Sequence, residues 1–169
     1  MTETNDTTAH TRALVIVAST RAASGDYTDR TGPVLVDWLC TRGLEVDDAT
    51  VIADADIPTA LPELLDDPVL PRIVLTTGGT GISPTDRTVS TVRPLLDHEL
   101  PGLVAAVWQK GVDAGVPTAL LSGGVAGVVG RSFVMTLPGS AGGVKDGIAV
   151  LDPVLDHLIA QLEGVSDHE

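Results

Sequence analysis

The chain has 169 residues, of which 43% are hydrophobic, and a formal net charge of −13. Nucleic-acid binders need clustered Lys and Arg, and the lysines of this chain are only Lys110 and Lys145, so direct nucleic-acid binding is not expected. The single cysteine, Cys40, excludes a disulfide framework, and no apolar stretch reaches the ~18 residues that a membrane helix requires.

The length predicts one domain at residues 12–164, between disordered tails at residues 1–11 and 165–169. The polar start does not resemble a signal peptide, which favours a cytoplasmic protein with no membrane partner. In so acidic a chain, an anionic ligand has to be held locally, by backbone N–H groups, a few arginines and a divalent cation.

Apolar runs alternate with helical patterns in the first half of the chain. Strands are predicted at 13–18, 45–53 and 72–77, and residues 20–30 are predicted as a loop. Helices are predicted from Thr31 to Gly43 and at 58–65. Their prolines are compatible with this prediction because they lie early, where a missing N–H is tolerated.

The second half predicts three helices, two strands and a glycine-rich turn between the strands. The helices are predicted at 89–96, 103–112 and 144–162, the last with a break at Pro153. The strands are predicted at 119–121 and 132–137, on either side of a turn at 123–130.

This order of strands and helices predicts an α/β fold with a mostly parallel sheet and helices on both faces. In such sheets, ligands bind outside the carboxyl ends of the strands. Asp54 follows the second predicted strand and a glycine-rich loop follows the third, so both are expected on one rim of the sheet.

The glycine-rich loop reads Thr-Thr-Gly-Gly-Thr-Gly at residues 76–81. Its glycines permit positive φ and a close approach of the backbone, so that successive N–H groups can converge on phosphate oxygens, and its threonines add hydroxyl donors. The alternative is an ordinary tight turn between a strand and a helix. The pattern matches neither a Walker loop nor the dinucleotide fingerprint.

Two carboxylates accompany this rim. Asp86 follows the loop, where it could hold a Mg²⁺ that bridges phosphates, and Asp54 offers a second carboxylate. The alternative is that each aspartate caps the helix that follows it, with Asp54 or Asp56 placed before Pro58.

Residues 76–86 resemble the signature loop of the molybdopterin adenylyltransferase family, which includes the MogA/MoaB proteins and the gephyrin G domain. Three more segments match in order: residues 17–29 resemble the family's first strand and loop, Leu100-Pro101-Gly102 its M/L-P-G element, and residues 137–140 its late L-P-G-S/N loop. The resemblance extends from Ala13 to about Gly164.

The resemblance implies a three-layer α/β sandwich, usually a homotrimer, in which Mg-ATP adenylylates molybdopterin and pyrophosphate is released. It places Mg²⁺ and the Mg²⁺-dependent catalysis on Asp54 and Asp86. It assigns binding of the substrates ATP and molybdopterin to Thr77, Gly78, Gly79, Thr80, Gly81, Ser122, Pro138, Gly139 and Ser140.

Five positions depart from the family pattern. Ser90 stands where the family usually has Glu or Asp, Gly123 where it has Arg, Ala141-Gly142 where it has Pro-Lys, and Thr20 where it has Asp. Losing two cations from a pocket for a polyanion should weaken binding. Arg21, Arg87, Arg131 and Lys145 could compensate if they reach the pocket.

Two functions therefore follow from the resemblance. The first is an active molybdopterin adenylyltransferase in molybdenum cofactor biosynthesis, which Asp54, Asp86 and the intact glycines favour. The second is a catalytically weakened MoaB-like paralogue, a pterin-binding or protein-binding module with an unknown protein partner, which Ser90, Gly123 and Ala141 favour.

Overall fold

The computed structural model describes residues 10–165, so the predicted tails at 1–11 and 165–169 lie almost wholly outside the described residues. Within that range, one sheet contains seven strands. They are β1 (Arg12–Ala18), β2 (Glu45–Val46), β3 (Thr50–Ile52), β4 (Ile73–Thr77), β5 (His98–Glu99), β6 (Ala126–Val129) and β7 (Ser132–Leu137).

The strand order is β2-β1-β4-β7-β6-β5, and β3 pairs with β1 on the same side as β2. The strands β1, β2, β3, β4 and β7 run parallel, and β6 and β5 join the edge antiparallel. The sheet is therefore mostly parallel, as predicted, with an antiparallel edge. The parallel strands direct their carboxyl ends to the same rim.

The helices of the described range are α1 (Thr20–Ala23), α2 (Gly32–Thr41), α3 (Ile57–Leu65), α4 (Thr88–Val92), α5 (Pro101–Asp113), α6 (Ala141–Leu151) and α7 (Leu155–Glu163). Short 3₁₀ turns lie at Asp54–Asp56, Arg93–Leu95, Pro117–Leu121 and Asp152–Val154. None of the described helices is both long and apolar enough to span a bilayer.

Helices cover both faces of the sheet because its central strands are apolar on both sides. Ile73 and Leu75 of β4 pack in one buried cluster with α2, α5, α6 and α7. Val74, between them, packs on the other face with α3 and α4. Full burial of each such side chain stabilises the fold by about 1.5–3 kcal/mol. The result is the three-layer sandwich that the resemblance implied.

Three predicted elements near the candidate site are wrong. The predicted loop at 20–30 begins with the helix α1, Thr20–Ala23, whose start is capped by the Ser19 hydroxyl as it accepts the Ala22 N–H. Residues 119–121 form part of the 3₁₀ turn Pro117–Leu121 instead of a strand, and Ala119 packs against Gly111 of α5, where an added Cβ would lie 2.5 Å from the Ala119 Cβ. The predicted turn at 123–130 contains β6. Gly127 lies in that strand. It is a glycine because a Cβ there would collide with the His98 carbonyl of β5, not because the chain turns.

The predicted strand at 45–53 is interrupted. Three steps along β1, from Ala13 to Ile16, correspond to four steps on its partner, from Val46 to Thr50, so the partner carries one extra residue. Such a bulge ends the ladder locally. The segment therefore forms two short strands, β2 and β3, and only the second leads to Asp54.

Candidate functional site

The candidate site lies along the rim where the parallel strands β1, β3, β4 and β7 end. The segments that leave these strands begin at Ser19, Ala53, Gly78 and Pro138. Hydrogen bonds join them: the Gly78 N–H donates to the Leu137 carbonyl (3.0 Å), and the Ser19 N–H donates to the Ile52 carbonyl (2.9 Å). The fold thus brings the predicted glycine loop and the predicted late loop to one place.

The conformation of the loop after β4 requires glycine at two positions. Gly78 has φ 91° and Gly79 has φ 67°, values that a residue with a Cβ rarely adopts. A Cβ on Gly78 would collide with the Ala18 carbonyl oxygen, and one on Gly79 would collide with Oγ1 of Thr88. The loop therefore passes close to the end of β1 and to the start of α4.

This close approach leaves a row of free donors. Among the described residues, no hydrogen-bond acceptor is found for the backbone N–H groups of Gly79, Thr80, Gly81 and Ile82. Successive unpaired N–H groups in a glycine-rich turn form a concave site for anions. An ordinary tight turn, the alternative that the sequence left open, would instead use some of these N–H groups internally.

Two threonine hydroxyls of the loop, predicted as donors to a ligand, instead contact neighbouring loops. The Thr77 hydroxyl donates to the Pro138 carbonyl (2.8 Å), and Oγ1 of Thr80 lies 2.9 Å from Oγ of Ser122. The Gly123 N–H donates to the Thr80 carbonyl (2.7 Å). These contacts fasten the loop to its neighbours, while the backbone N–H groups of residues 79–82 have no acceptor in the described range.

Asp54 stands in the 3₁₀ turn after β3. Its Oδ2 accepts hydrogen bonds from the Thr20 N–H (2.9 Å) and the Thr20 hydroxyl (2.7 Å). Asp54 therefore ties the end of β3 to the start of α1. Neither Asp54 nor Asp56 caps α3 through its side chain, so that alternative is not observed. Within the described residues, Oδ1 of Asp54 has no hydrogen-bond partner.

Asp86 closes the glycine loop. Its Oδ2 accepts the Ser83 N–H (3.0 Å) and would lie 2.7 Å from a Cβ on Gly81, so the carboxylate folds back over the loop. The residue at the N-cap of α4 is Arg87, without a side-chain cap, so Asp86 does not cap that helix. Its Oδ1, like that of Asp54, has no partner in the described range.

No group of three or more His, Cys, Asp or Glu suited to a metal ion occurs among the described residues. Mg²⁺ in phosphate-transfer sites is commonly held by one or two carboxylates together with substrate phosphates and water. The free Oδ1 atoms of Asp54 and Asp86 are hard oxygen donors of the required type. The residues present therefore fit a magnesium ion that is completed by a substrate.

The late loop, residues 137–140, lies against the glycine-rich loop. Gly139 packs against Gly78, since a Cβ at 139 would lie 3.1 Å from the Gly78 Cα. The Ser140 hydroxyl caps α6 by accepting the Gly143 N–H (3.1 Å). Ser122 is fixed from both sides, because its carbonyl also accepts the Trp108 indole N–H (2.7 Å).

The structure adds a group of residues that sequence reasoning did not assign to the site. Tyr27, Asp29, Arg30 and Thr31 line a cleft of about 100 Å³ together with Gly78, Gly139 and the end of β1. The family resemblance covered the segment that precedes Arg30, but nothing in a polar loop marks one arginine as a pocket residue. Arg131, considered as a compensating cation, lies directly before β7, at the amino end of that central strand and so at the rim opposite the candidate site.

Comparison with known proteins agrees with this architecture. Residues 14–157 match the family model described as "Probable molybdopterin binding domain". Molybdenum cofactor biosynthesis protein B of Staphylococcus aureus strain MRSA252 is 35% identical over 156 residues, covering 89% of this chain and 90% of that protein. The molybdenum cofactor biosynthesis bifunctional protein of Synechococcus elongatus is 36% identical over 158 residues, or 92% of this chain. This chain spans only 48% of that longer relative.

Solved structures show the same fold. The Mog protein from Mycobacterium ulcerans superposes with a TM-score of 0.81 at 43% identity, over 89% of this chain and 98% of that one. MoaB from Thermus thermophilus superposes with a TM-score of 0.79 at 34% identity, over 90% of this chain and 96% of that one.

Proposed function

We propose that this chain, which belongs to the molybdopterin-binding domain family of molybdenum cofactor biosynthesis, transfers the adenylyl group of Mg-ATP to molybdopterin and releases pyrophosphate. The observation that carries the proposal is the row of unpaired N–H groups at residues 79–82, in the loop that the Asp86 carboxylate folds over and on the rim that also carries Asp54. A polyphosphate needs both features, donors for its oxygens and carboxylates for its cation.

The charge of the chain explains why the donors are backbone groups. At a net charge of −13, the protein repels a nucleotide at long range, and salt screens this repulsion beyond about 8–10 Å. Binding therefore depends on contacts at close range. Backbone N–H groups held by Gly78 and Gly79 provide such contacts without the flexibility of a lysine side chain.

Asp54 and Asp86 are the residues that would hold Mg²⁺, through their free Oδ1 atoms. When bound, the ion would neutralise phosphate charge and help to orient the reacting groups. Thr20 keeps Asp54 in place through two hydrogen bonds, and the Ser83 N–H does the same for Asp86. In each carboxylate, hydrogen bonds to Oδ2 thus fix the side chain, and Oδ1 stays available to the cation.

In the proposed reaction, an oxygen of the terminal phosphate of molybdopterin attacks the α-phosphorus of ATP. The new phosphorus–oxygen bond replaces the bond from the α-phosphorus to the oxygen that bridges it to the β-phosphate, and pyrophosphate leaves with that electron pair. The N–H groups of 79–82 stabilise negative charge on the phosphate oxygens. No side chain acts as a nucleophile.

The decisive experiment is pyrophosphate release from molybdopterin and Mg-ATP, with Asp86→Asn beside the wild type. We expect release by the wild type and a loss of at least about a hundredfold in the variant, the scale on which removal of a key electrostatic group acts. The melting temperature should stay within a few degrees, since Asn keeps the shape of a loop side chain. Unchanged turnover in Asp86→Asn would contradict the role of Asp86.

A second candidate function is the weakened paralogue. The observation that favours it is Gly123, whose N–H contacts the Thr80 carbonyl beside the free donors, at the position where the family usually has arginine. A Cβ there would meet only the Thr80 carbonyl, at 3.5 Å, so a side chain fits.

Gly123→Arg distinguishes the two candidates. In a weakened site, the new cation should raise pyrophosphate release by about ten- to a hundredfold, the gain from one charged hydrogen bond of about 1.5–3 kcal/mol. Gly102→Arg is the control, because it adds the same charge at the start of α5, where no atom lies within 4 Å of an added Cβ. Robust wild-type release would reject the weakened paralogue.

A further inference from the structure

The cleft beside the glycine loop is small. Its volume is about 100 Å³, and its walls combine the end of β1, Gly78 and Gly139 with residues of the segment 27–31. Pockets that bury whole drug-sized ligands measure about 300–1,000 Å³. The cleft is therefore sized for one compact group of a ligand, not for an adenine or a pterin ring.

The carboxylate in the cleft, Asp29, already accepts three donors. Asp29 Oδ1 accepts hydrogen bonds from the Thr31 N–H (3.0 Å), the Thr31 hydroxyl (3.1 Å) and the Gly32 N–H (3.2 Å), and Oδ2 also lies 3.2 Å from the Gly32 nitrogen. These donors stand at the start of α2, whose dipole offsets negative charge. Asp29 therefore has little capacity left to bind a cation or a donor from a ligand.

The unused polar groups of the cleft are donors. Oγ of Ser19 accepts the Ala22 N–H (3.2 Å), but its own proton has no acceptor among the described residues. The Tyr27 hydroxyl and the Arg30 guanidinium likewise make no hydrogen bond or ion pair within the described range. Arg21 stacks 5.2 Å from the centroid of the Tyr27 ring, which helps to hold the ring at the cleft.

Free donors beside a carboxylate that already accepts three hydrogen bonds favour a ligand rich in acceptors. Among the described residues that line the cleft, Arg30 is the one cation. A guanidinium presents two parallel N–H groups that match two oxygens of a phosphate. Residues 79–82 do not line the cleft, so their N–H groups stay available for a second, separate set of phosphates.

We propose that this cleft is a phosphate subsite in which Arg30 binds the terminal phosphate of molybdopterin, while the N–H groups of residues 79–82 bind the phosphates of ATP. This inference rests on the proposed function above. Arg30 would supply, from a different loop, one of the cations that the chain lacks at Gly123 and Gly142.

The first test is direct binding, which needs no catalytic turnover. Inorganic phosphate and phenyl phosphate are each titrated into the full chain, and binding is measured from the NMR chemical shifts of the Tyr27 ring. Arg30→Gln should weaken binding by about ten- to a hundredfold. Arg131→Gln is the matched control, with the same loss of charge on an exposed arginine at the amino end of β7, the opposite rim of the sheet, and should bind as the wild type does. Equal phosphate affinity in the wild type and Arg30→Gln would overturn the proposal.

The second test identifies which substrate carries the phosphate. In pyrophosphate-release assays, Arg30→Gln should raise the KM for molybdopterin by about ten- to a hundredfold and leave the KM for Mg-ATP unchanged, and Arg30→Lys should recover part of the loss. A rise in the KM for Mg-ATP alone would overturn the assignment to molybdopterin. If the wild type releases no pyrophosphate, the proposed function fails, and the phosphate titration still decides whether Arg30 forms an anion site.

Discussion

Glycines of the chain that share a positive φ are required for different reasons, and Gly78 and Gly25 illustrate the difference. Gly25 has φ 82° with no atom within 4 Å of an added Cβ, so only its backbone conformation favours glycine. Gly78 has φ 91° and also lies against the Ala18 carbonyl, so both conformation and space require glycine. This lack of space reflects the packing of the glycine-rich loop directly onto β1.

A pair of alanine variants separates these two requirements. Gly25→Ala should lower the free energy of unfolding by about 1–2 kcal/mol, the strain of a left-handed residue. Gly78→Ala should cost clearly more, because the backbone must also move away from Ala18, and it should abolish binding of Mg-ATP. Chemical denaturation of both variants measures the difference. Equal costs would show that the close approach of Gly78 to β1 contributes nothing to stability.

At the level of residues, the sequence predicted the components of the site but not their contacts. Runs of glycine after a buried strand have few uses, so the loop at 76–81 was recognisable. The partner of Asp54 was not, because Thr20 lies 34 positions away in the chain and only the pairing of β1 with β3 joins them. Nothing in the sequence indicated that Arg30 lines the cleft, since arginines are common in polar loops.

At the level of elements, the helices on one face are joined by a polar link. Trp38 of α2 donates its indole N–H to Asp152 Oδ1 (2.8 Å), and Arg42 donates to the same oxygen (2.7 Å). A second N–H group of Arg42 donates to Asp156 of α7 (2.8 Å). The Trp38 hydrogen bond, followed by that of Arg42, lowers the pKa of Asp152, and the two carboxylates raise the pKa of Arg42. The link fixes α2 against the turn between α6 and α7.

The lowered pKa of Asp152 gives this link a defined dependence on pH. The folded pKa lies below the ordinary value of 3.8, so the stabilisation is complete above that value and is lost as pH falls through the lower folded pKa. At pH 7, Asp152→Ala should lower the free energy of unfolding by about 1 kcal/mol, because the side chain is half-exposed and solvent screens the pair.

Unfolding measured at several pH values checks this prediction. The difference between the wild type and Asp152→Ala should shrink as pH falls below the ordinary carboxyl pKa of 3.8 and through the lower pKa of the folded state. Asp37→Ala is the matched control, since Asp37 is an exposed aspartate on α2, the helix that carries Trp38, and its side chain has no partner in the described range. A difference that does not change with pH would exclude the charge of Asp152 as its origin.

Most elements were predictable because the spacing of their apolar residues reflects which side chains are buried. The errors fall where apolar spacing and burial disagree or where a contact between strands decides the structure. Residues 119–121 are apolar, yet Leu120 and Leu121 are exposed, so an apolar run there did not indicate a buried strand. In β6, Gly127 is required by the proximity of β5, a contact between strands that no local pattern records. The bulge between β2 and β3 likewise depends on pairing with β1.

At the level of the whole molecule, exposed apolar side chains gather near the candidate site. Leu120 and Leu121 are 60% and 57% exposed, and Ile82 of the glycine loop is 81% exposed. The contact between Thr80 and Ser122 places the loop beside the end of the 3₁₀ turn that carries the two leucines. Clustered apolar side chains on a surface commonly mark a protein interface.

We predict that this surface is covered in a homotrimer, the assembly that the family resemblance implies. Leu120→Glu places a charge in that interface and should shift the mass measured by light scattering at micromolar concentration from trimer to monomer. Val69→Glu is the matched control: Val69 is 67% exposed but lies between α3 and β4, away from the site, so the mass should stay that of the wild type. Protomers of charge −13 repel one another, so raising the salt concentration should strengthen association of the wild type. A monomeric wild type at every salt concentration would contradict the prediction, and a trimeric Leu120→Glu would place the interface elsewhere.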